Sequence, residues 1–350
     1  MRARRWLLAA VLVCVQTVLT TAAAAEEPSL RALTPPDLTA PTPVEVSLYD
    51  VQIYRIDERE QTFEVGARLL LKWYDGRLAF DAAEAGTAVR IYQGEAAADT
   101  LDQEVWWPSL EIADSRGPRQ RLHVELRVGA NGFVAYDERF NAAIVQDFDL
   151  DAFPFDAHEV SLSIEPFTYD GSAVAFVAPE AEYDPISWQP TEWRINRSEV
   201  LVDDGAYEEG YGFSSATLFL EIERVSAHYM WKIVLPLLLI ICVSSSVYWL
   251  DLERFPDPGD RLSVAFTAIL TVVAFDFVTA DSLPKLGYTT LLDQVLILAY
   301  LFAALNVAGV VVTTALSKRR PAAAQRLVTA LRWLYPPAFV VCLLVVFVVG

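Results

Sequence analysis

The stretch Asp149-Leu150-Asp151-Ala152-Phe153-Pro154-Phe155-Asp156 interrupts a chain of alternating segments in a sequence of 350 residues. Apolar and polar residues alternate in residues 122–128 and 133–140 before it, and in residues 160–164 and 216–223 after it. A period of two is typical of strands that bury one face. We therefore expect these segments to be strands of an antiparallel β-sandwich.

Two further strands are predicted over residues 44–56 and 62–73, and Gly129-Ala130-Asn131-Gly132 predicts a hairpin turn. The run 203–212 is expected to be an exposed acidic loop between strands. Residues 26–43 contain five prolines and are expected to form a flexible leader. The fold class predicted for residues 44–227 is therefore an all-β, immunoglobulin-like sandwich.

The charge of the chain is unevenly distributed. Residues 26–227 hold 39 Asp and Glu against 15 Lys and Arg, whereas residues 228–350 hold 7 against 9. An acidic region followed by a nearly neutral, apolar one indicates two environments. The acidic region argues against nucleic acid as a partner, because phosphate binding needs clustered Lys and Arg.

Residues 1–25 have the pattern of a secretory signal peptide. Arginines at positions 2, 4 and 5 precede an apolar run, and Ala23-Ala24-Ala25 supplies small residues for cleavage near Ala25. An uncleaved membrane anchor is the alternative. In either case the following residues are expected to be exported, and residues 26–227 contain no cysteine with which to form a disulfide.

Four apolar segments follow the acidic region, and each is long enough to cross a membrane as a helix, which takes about 20 residues. They cover residues 229–250, 262–279, 291–316 and 328–349. We predict a four-helix transmembrane bundle over residues 228–350. The connection after the third segment contains Lys318-Arg319-Arg320, as expected for a cytoplasmic loop. The predicted location is a bacterial inner membrane, with the sandwich and the C-terminus in the periplasm.

Several short motifs accompany residues 149–156 along the chain: Trp73-x-Asp75-x-Arg77-Leu78, Trp106-x-Pro108, Phe167-Thr168-Tyr169-Asp170-Gly171, Arg224, Pro236 and Leu283-Pro284-Lys285. In these motifs and in their order, from about residue 44 onwards, the chain resembles the Cys-loop receptor superfamily of pentameric ligand-gated ion channels, in its prokaryotic form. Residues 149–156 resemble the family's signature loop, with Gln146 and Val160 at the positions of the two cysteines that would close it. The resemblance is nearest to bacterial amine-gated members, and it implies a homopentamer around a central pore.

The second segment has a face that suits a pore wall. Residues three or four apart share one face of a helix. Hydroxyls at the inner end of this face would replace part of an ion's hydration, and the apolar rings of Leu270 and Phe277 would gate by dewetting. Packing of the polar face against neighbouring helices is the alternative. The predicted pore-lining residues are Asp260, Ser263, Thr267, Leu270, Ala274, Phe277 and Asp281.

Charge at the two mouths of this pore predicts cation selectivity. Rings of Asp260 and Asp281 would attract cations, and the resemblance associates an acid at the position of Asp260 with cation channels. Arg261 is expected to point away from the axis. Asp276 lies in the same segment without an evident partner, although a carboxylate within a membrane usually pairs or faces water.

The resemblance also implies an agonist site between subunits, built from aromatic side chains. Phe167 falls on the aromatic position of the ligand site that follows the signature loop in the family. Phe213, with Tyr207 or Tyr211, falls on the loop that caps the site. Aromatic faces attract cations, and Glu165 adds a negative charge, so these residues favour a cationic amine. Burial of the two phenylalanines in the core of the sandwich is the alternative.

Two departures from the aromatic site keep other ligands open. Ala113 stands at a position where the family has an aromatic residue. Arg68 stands at an aromatic position on the complementary face, which is the side of the site that the neighbouring subunit supplies, and its planar guanidinium suits a carboxylate. These residues favour an acidic or zwitterionic ligand. Proton gating is a further possibility, because crowded carboxylates raise one another's pKa.

Coupling between the two regions is expected where the sandwich meets the membrane helices. The resemblance places Asp57 and Glu58 in a turn at this junction, Asp156 in the signature loop, and Arg224 before the first span. An arginine among carboxylates predicts a charge-assisted cluster. Pro284, in the facing linker, would receive the movement.

The sequence contains little that is typical of an enzyme. Its three histidines, at positions 123, 158 and 228, are dispersed, and it shows no nucleophile elbow, metal-ligand spacing or glycine-rich phosphate loop. We therefore predict no enzyme, no cofactor and no metal site. A membrane-anchored binding module without a pore is the rival class. The expected partners are four further copies of the chain, a small-molecule agonist, monovalent cations and membrane lipid.

Overall fold

The computed structural model describes residues 30–180, 184–207, 210–250, 258–280 and 287–349. A short helix, α1 (Leu30–Leu33), precedes a β-sandwich, and helices α2 (Ala82–Ala85) and α3 (Glu95–Gln103) are inserted in it. The strands are β1 (Thr42–Asp57), β2 (Thr62–Tyr74), β3 (Val89–Gln93), β4 (Leu110–Ile112), β5 (Gln120–Gly129), β6 (Phe133–Val145), β7 (Ala157–Pro166), β8 (Val174–Val177), β9 (Ile186–Trp188), β10 (Trp193–Asp203), β11 (Ala206–Tyr207), β12 (Gly210–Tyr211) and β13 (Ser215–Arg224).

Within the described residues, the strands form two main sheets and a small hairpin. The larger sheet has the order β3-β5-β6-β2-β1-β8, with β9 also paired to β1. The other sheet has the order β10-β13-β7-β4, and β11 pairs with β12. All six segments that were predicted from alternation are strands. In β7, for example, Val160, Leu162 and Ile164 are buried and alternate with more exposed residues.

The predicted turn at residues 129–132 joins β5 to β6, with Val128 opposite Val134. Gly132 has a φ of 83°. A side chain there would also place its Cβ 2.5 Å from the carbonyl oxygen of Asp75. Glycine therefore satisfies both the turn geometry and the close approach of the two backbones.

Hydrogen bonds close the signature loop in place of a covalent bond. The side-chain oxygen of Gln146 accepts from the backbone N–H of Ser161, at 3.4 Å. Gln61 also holds the loop, since its side-chain oxygen accepts from the N–H of Phe148 at 2.8 Å. Phe148 is fully buried. The sandwich is thus held by its apolar core and by such bonds, without a disulfide.

Long helices follow the sandwich: α4 (Ala227–Tyr248), α5 (Pro258–Ala280), α6 (Leu291–Arg319) and α7 (Pro321–Val349). Among the described residues, α4, α6 and α7 are long and apolar enough to cross a membrane. Helix α5 has 23 residues and carries Asp260, Arg261 and Asp276, so its crossing of the membrane remains a prediction.

The connection between the third and fourth predicted spans is short. Helix α6 continues to Arg319 and α7 begins at Pro321, so most of the predicted connection is helical. Lys318 and Arg319 lie in the last turn of α6, where positive charge complements the helix dipole. Proline is favoured at the first position of a helix.

The described part of the predicted leader contacts the sandwich. Arg77 donates to the side-chain oxygen of Thr34 at 3.1 Å and to its carbonyl oxygen at 2.9 Å. The hydroxyl of Tyr169 donates to the carbonyl oxygen of Leu33 at 3.3 Å. These contacts attach α1 and the residues after it to the end of the domain that carries Tyr169.

Candidate pore, ligand and coupling sites

Helix α5 buries one face and exposes the face predicted to line a pore. Arg261, Ala265, Ala268 and Val272 are buried, whereas Leu270 and Phe277 are 67% and 74% exposed. The polar face therefore does not pack against other helices of the same subunit. The predicted residues that the structure describes are all exposed: Asp260, Ser263, Thr267, Leu270, Ala274 and Phe277. Asp281 lies outside the described residues.

The hydroxyl groups on this face donate hydrogen bonds to backbone carbonyl oxygens of the same helix. Ser263 donates to the carbonyl oxygen of Asp260, Thr267 to that of Ser263, and Thr271 to that of Thr267, each at 2.7 Å. A hydroxyl that donates in this way keeps its lone pairs free. The exposed face therefore presents oxygen acceptors, which suit a cation better than an anion.

Asp260 and Arg261 point in different directions, as expected. Asp260 is exposed, whereas Arg261 is 1% exposed and donates to the carbonyl oxygen of Val247 at 3.4 Å. The arginine thus lies between α5 and the end of α4. The charge that the exposed face presents at this end of α5 is negative.

Asp276 has a partner that the sequence analysis did not identify. The hydroxyl of Tyr300, on α6, donates to its carboxylate at 2.9 Å. The two residues lie on different helices, so no spacing within the sequence relates them. If α5 crosses a membrane as predicted, this hydrogen bond would offset part of the cost of a carboxylate there.

The two phenylalanines of the predicted ligand site are on the surface. Phe167 is 65% exposed and Phe213 is 49% exposed, so burial in the core is excluded for both. Their loops are joined, because the N–H of Gly171 donates to the carbonyl oxygen of Gly212 at 2.6 Å. The loop after β7 and the loop before β13 therefore form one surface.

The other predicted residues of this surface are only partly described. Glu165 is half-buried and accepts a hydrogen bond from Ser163 at 3.1 Å. The backbones of Tyr207 and Tyr211 belong to the β11–β12 hairpin, while their side chains lie outside the description. Ala113 donates its N–H to the carbonyl oxygen of Ser163 at 3.0 Å.

Arg68, which the sequence analysis predicts on the other side of the ligand site, pairs with an acid of its own chain. Its Nε and Nη2 donate to the two oxygens of Asp137 at 2.7 and 2.5 Å, and its guanidinium lies 5.2 Å from the ring centre of Tyr49. The hydrogen bonds to Asp137 raise the pKa of Arg68. Nε and Nη2 are therefore engaged within the chain, in the larger sheet, while the Arg68 side chain is 44% exposed.

The predicted cluster around Arg224 is present. Its Nε and Nη2 donate to the two oxygens of Asp156 at 2.8 and 3.0 Å, and Nη2 also donates to Glu58 at 2.6 Å. The guanidinium lies 4.2 Å from the ring centre of Trp193 and 4.8 Å from that of Phe153. We call Arg224, Asp156, Glu58 and His158 the Arg224 cluster.

The electrostatics of this cluster favour its charged form. Burial opposes the charge of Arg224, but the hydrogen bonds and attraction from Asp156 and Glu58 outweigh it and raise the pKa of Arg224. Burial likewise opposes the charge of Asp156, but hydrogen bonds from His158 and Arg224 outweigh it and lower the pKa of Asp156. The pair thus stays ionised although both side chains are buried.

Asp57 lies in the predicted turn, and its side chain contacts groups other than Arg224. It pairs with Arg55 and accepts from the N–H groups of Arg59 and Glu60 at 3.1 and 3.0 Å. It therefore caps the turn between β1 and β2, which holds Glu58 toward Arg224. Pro284 lies outside the described residues.

Two hydrogen bonds join the signature loop to the start of α6, and the sequence analysis missed both. The N–H of Leu150 donates to the hydroxyl of Tyr288 at 3.1 Å. The N–H of Leu291 donates to the carbonyl oxygen of Asp151 at 2.9 Å. Phe155, in the same loop, contacts Phe347 of α7, with ring centres 5.7 Å apart. The loop thus rests on two helices of the bundle.

The described residues include no group of three or more His, Cys, Asp or Glu side chains that could hold a metal ion.

Comparison with known proteins identifies the family of the N-terminal region. The model of the family described as "Neurotransmitter-gated ion-channel ligand binding domain" matches residues 30–224. A proton-gated ion channel of Gloeobacter violaceus is 26% identical over 310 residues, which cover 87% of this chain and 82% of that protein.

Animal receptor subunits are similar over much of the chain as well. The acetylcholine receptor subunit beta of Xenopus laevis is 23% identical over 69% of this chain and 49% of its own length. The human gamma-aminobutyric acid receptor subunit rho-3 is 23% identical over 77% of this chain and 57% of its own length. The chain therefore spans about half the length of these animal relatives.

Proposed function

The chain belongs to the neurotransmitter-gated ion-channel family, and from this premise we propose that it is one subunit of a pentameric, ligand-gated, cation-selective channel. The observation that carries the proposal is the exposed face of α5. A single subunit leaves Leu270 and Phe277 in the open, on the same face as a line of oxygen acceptors. Five copies around an axis would turn this face into the wall of a pore.

Cation selectivity follows from what this face presents to an ion. Asp260 is exposed and Arg261 is buried. The hydroxyl protons of Ser263 and Thr267 are engaged with carbonyl groups of the helix. A permeating ion would therefore meet carboxylate and hydroxyl oxygens at one end of the pore. The permeating ions we propose are monovalent cations.

The ligand we propose is a small amine or an amino-acid-like molecule, bound between subunits at the surface of Phe167 and Phe213. Both rings are exposed on adjoining loops, and Glu165 lies two residues before Phe167. Each contact between a cation and an aromatic face contributes about 0.5–2 kcal/mol, depending on desolvation. Asp137 is already paired with the guanidinium of Arg68. The carboxylate of a ligand would therefore compete with Asp137 for Arg68 on the complementary face.

Proton gating is the second candidate, and the similarity to a channel described as proton-gated favours it. In both cases we propose that the Arg224 cluster transmits movement from the sandwich to the helices. We place the protein in a bacterial inner membrane, with its N-terminal domain and C-terminus in the periplasm. The polar and charged end of α6, with Lys318 and Arg319, would then face the cytoplasm.

Electrophysiology on the full-length protein in liposomes tests this proposal and separates the two candidates. Amines and amino acids are applied at constant pH, and pH steps are applied without them. If an amine opens the channel, F167A is expected to raise its half-maximal concentration by about 2- to 30-fold, from the energy of one cation–aromatic contact. Y74A is the matched control, because Tyr74 is an exposed aromatic residue elsewhere on the sandwich.

Absence of current under every condition would contradict the channel and favour a binding module without a pore. Equal effects of F167A and Y74A would contradict the proposed ligand site while leaving the channel intact.

A further inference from the structure

His158 is the buried histidine of this chain. Its side chain is 5% exposed, whereas His123 and His228 are exposed. The ring lies between two aromatic neighbours, with its centre 5.2 Å from that of Phe148 and 5.8 Å from that of Trp193. Residues two apart on a strand share one face, so His158 lies beside Asp156 at the start of β7.

His158 contacts the same carboxylate that holds Arg224. Its Nε2 lies 2.8 Å from Oδ2 of Asp156, and Nη2 of Arg224 lies 3.0 Å from that oxygen. An ionised carboxylate can only accept hydrogen bonds. Nε2 therefore carries a proton and donates it, which leaves Nδ1 as the atom that takes up a further proton.

The formal charges of the Arg224 cluster do not balance while the imidazole is neutral. Arg224 contributes +1, and Asp156 and Glu58 contribute −1 each, so the sum is −1. Arg224 and Asp156 are buried, and the side chain of Glu58 is 20% exposed, so water screens only part of this uncompensated charge. A proton on Nδ1 of His158 brings the sum to zero and converts its hydrogen bond with Asp156 into an ion pair.

Among the residues that the structure describes, few other ionisable groups face this site. Strand β13 contributes Arg224, the β1–β2 turn contributes Glu58, and α4 contributes Tyr229, whose ring centre lies 5.9 Å from the guanidinium. The contacts from β10 and the signature loop are the uncharged Trp193 and Phe148. The remaining charged side chains on these strands alternate to the outer faces or are exposed: Glu159, Glu192, Arg194, Glu221 and Glu223.

Between about pH 5 and 8, histidine is the side chain that ordinarily changes its charge. The pKa of Asp156 lies below its usual value and that of Arg224 lies above its own. Both therefore keep their charges throughout this range.

We propose that His158 is a proton-dependent positioning residue of the Arg224 cluster. A proton on the imidazole strengthens the attraction between His158 and Asp156. His158 then competes with Arg224 for the Asp156 carboxylate, and Arg224 shifts toward Glu58. The consequence for gating rests on the proposed channel function: the equilibrium between closed and open states depends on pH between about 5 and 8 through this residue.

The first experiment measures the proton itself and needs neither agonist nor current. A protonated imidazole quenches the fluorescence of a neighbouring indole, and Trp193 lies beside His158. The difference in tryptophan fluorescence between the wild type and W193F is recorded from pH 8 to pH 5 in the purified full-length pentamer. This difference, which is the Trp193 contribution, is expected to fall as the pH falls. In H158Q, which retains an N–H donor but cannot titrate, the Trp193 contribution is expected to be independent of pH. H123Q is the matched control and is expected to behave as the wild type.

The second experiment measures the consequence for gating. Currents through the full-length protein in liposomes are recorded over the same pH range, with and without a fixed concentration of butylamine. Coupling between two sites typically changes an equilibrium by about 5- to 150-fold. We expect the wild-type current to change at least about fivefold with pH, and H158Q to lose most of that change while H123Q keeps it.

The proposal is overturned if wild-type Trp193 fluorescence shows no titration between pH 8 and pH 5, a result that does not depend on any histidine variant folding. It is overturned equally if H158Q leaves the pH dependence of the current unchanged. Absence of current from every variant at every pH would contradict the channel function instead, and the fluorescence comparison would then decide whether His158 binds the proton.

Discussion

Arg224 donates to both carboxylate oxygens of Asp156, from Nε at 2.8 Å and from Nη2 at 3.0 Å, although 68 positions separate the two residues in the sequence. Both side chains are buried. The pair joins the last strand of the sandwich to the signature loop, which in turn contacts α6. Its geometry therefore bears on both the stability of the domain and the transmission of movement.

Removal of the Arg224 guanidinium is expected to destabilise the protein strongly. R224Q leaves the buried carboxylate of Asp156 without its cation, and breaking a buried pair in this way typically costs about 3–5 kcal/mol. The thermal unfolding of the purified pentamer checks this, together with agonist- or proton-evoked current. We expect a lower unfolding temperature and a loss of evoked current.

R194Q is the matched control, because Arg194 is exposed and lies 3.9 Å from Glu223. An exposed pair contributes at most about 1 kcal/mol. Equal unfolding temperatures and equal currents for R224Q and R194Q would contradict the role given to the buried pair.

Acid is expected to remove the contribution of Asp156. Its pKa in the folded protein lies below the ordinary value of 3.8, so the stabilisation is fully present above that value and is lost as the pH falls through the folded pKa. The difference in unfolding temperature between wild type and D156N should therefore be large at pH 7 and should shrink below about pH 4. A difference that stays constant or grows in acid would contradict this assignment.

Shortening the apolar side chain of Leu270 is expected to weaken the closed gate. The side chain is 67% exposed in the subunit, and a ring of such side chains excludes water from a narrow pore. L270A should therefore raise the current that flows without agonist, measured in liposomes at constant pH. L239A is the control, since Leu239 is an exposed leucine on α4. An unchanged resting current in L270A, or an equal rise in L239A, would count against the gate.

Releasing Arg68 is expected to change ligand preference. Asp137 accepts from Nε and Nη2 of its guanidinium, and D137N would remove the competing charge. If Arg68 faces the ligand in the pentamer, D137N should lower the half-maximal concentration of an amino acid relative to that of the matching amine. Dose–response curves for such a pair of ligands on the wild type and D137N measure this ratio. An unchanged ratio would place Arg68 outside the ligand site.

Local patterns in the sequence were sufficient for the strands and for the face of α5. Period-two alternation predicted β7 and β13 because each buries one side, and spacing by three and four predicted the exposed line from Asp260 to Phe277. Both patterns depend on residues that are close in the sequence. Resemblance to a family was needed for the Arg224 cluster, since its members come from distant segments.

The contacts that the sequence analysis did not predict depend on relationships that local patterns do not contain. The partner of Arg68 is set by the register of β2 against β6, in which Leu70 pairs with Asp137. Asp57 and Glu58 are adjacent acids, and only the geometry of the turn decides which one reaches Arg224. The partner of Asp276 lies on another helix, and the partner of His158 is Asp156, two positions before it.

The most direct test of the central claim is the reversal potential of the open channel under a gradient of sodium chloride, in liposomes that contain the full-length protein. The exposed Asp260 and the buried Arg261 predict a reversal potential close to the equilibrium potential of sodium, with a shift toward zero in D260N. A reversal potential close to that of chloride would contradict the account.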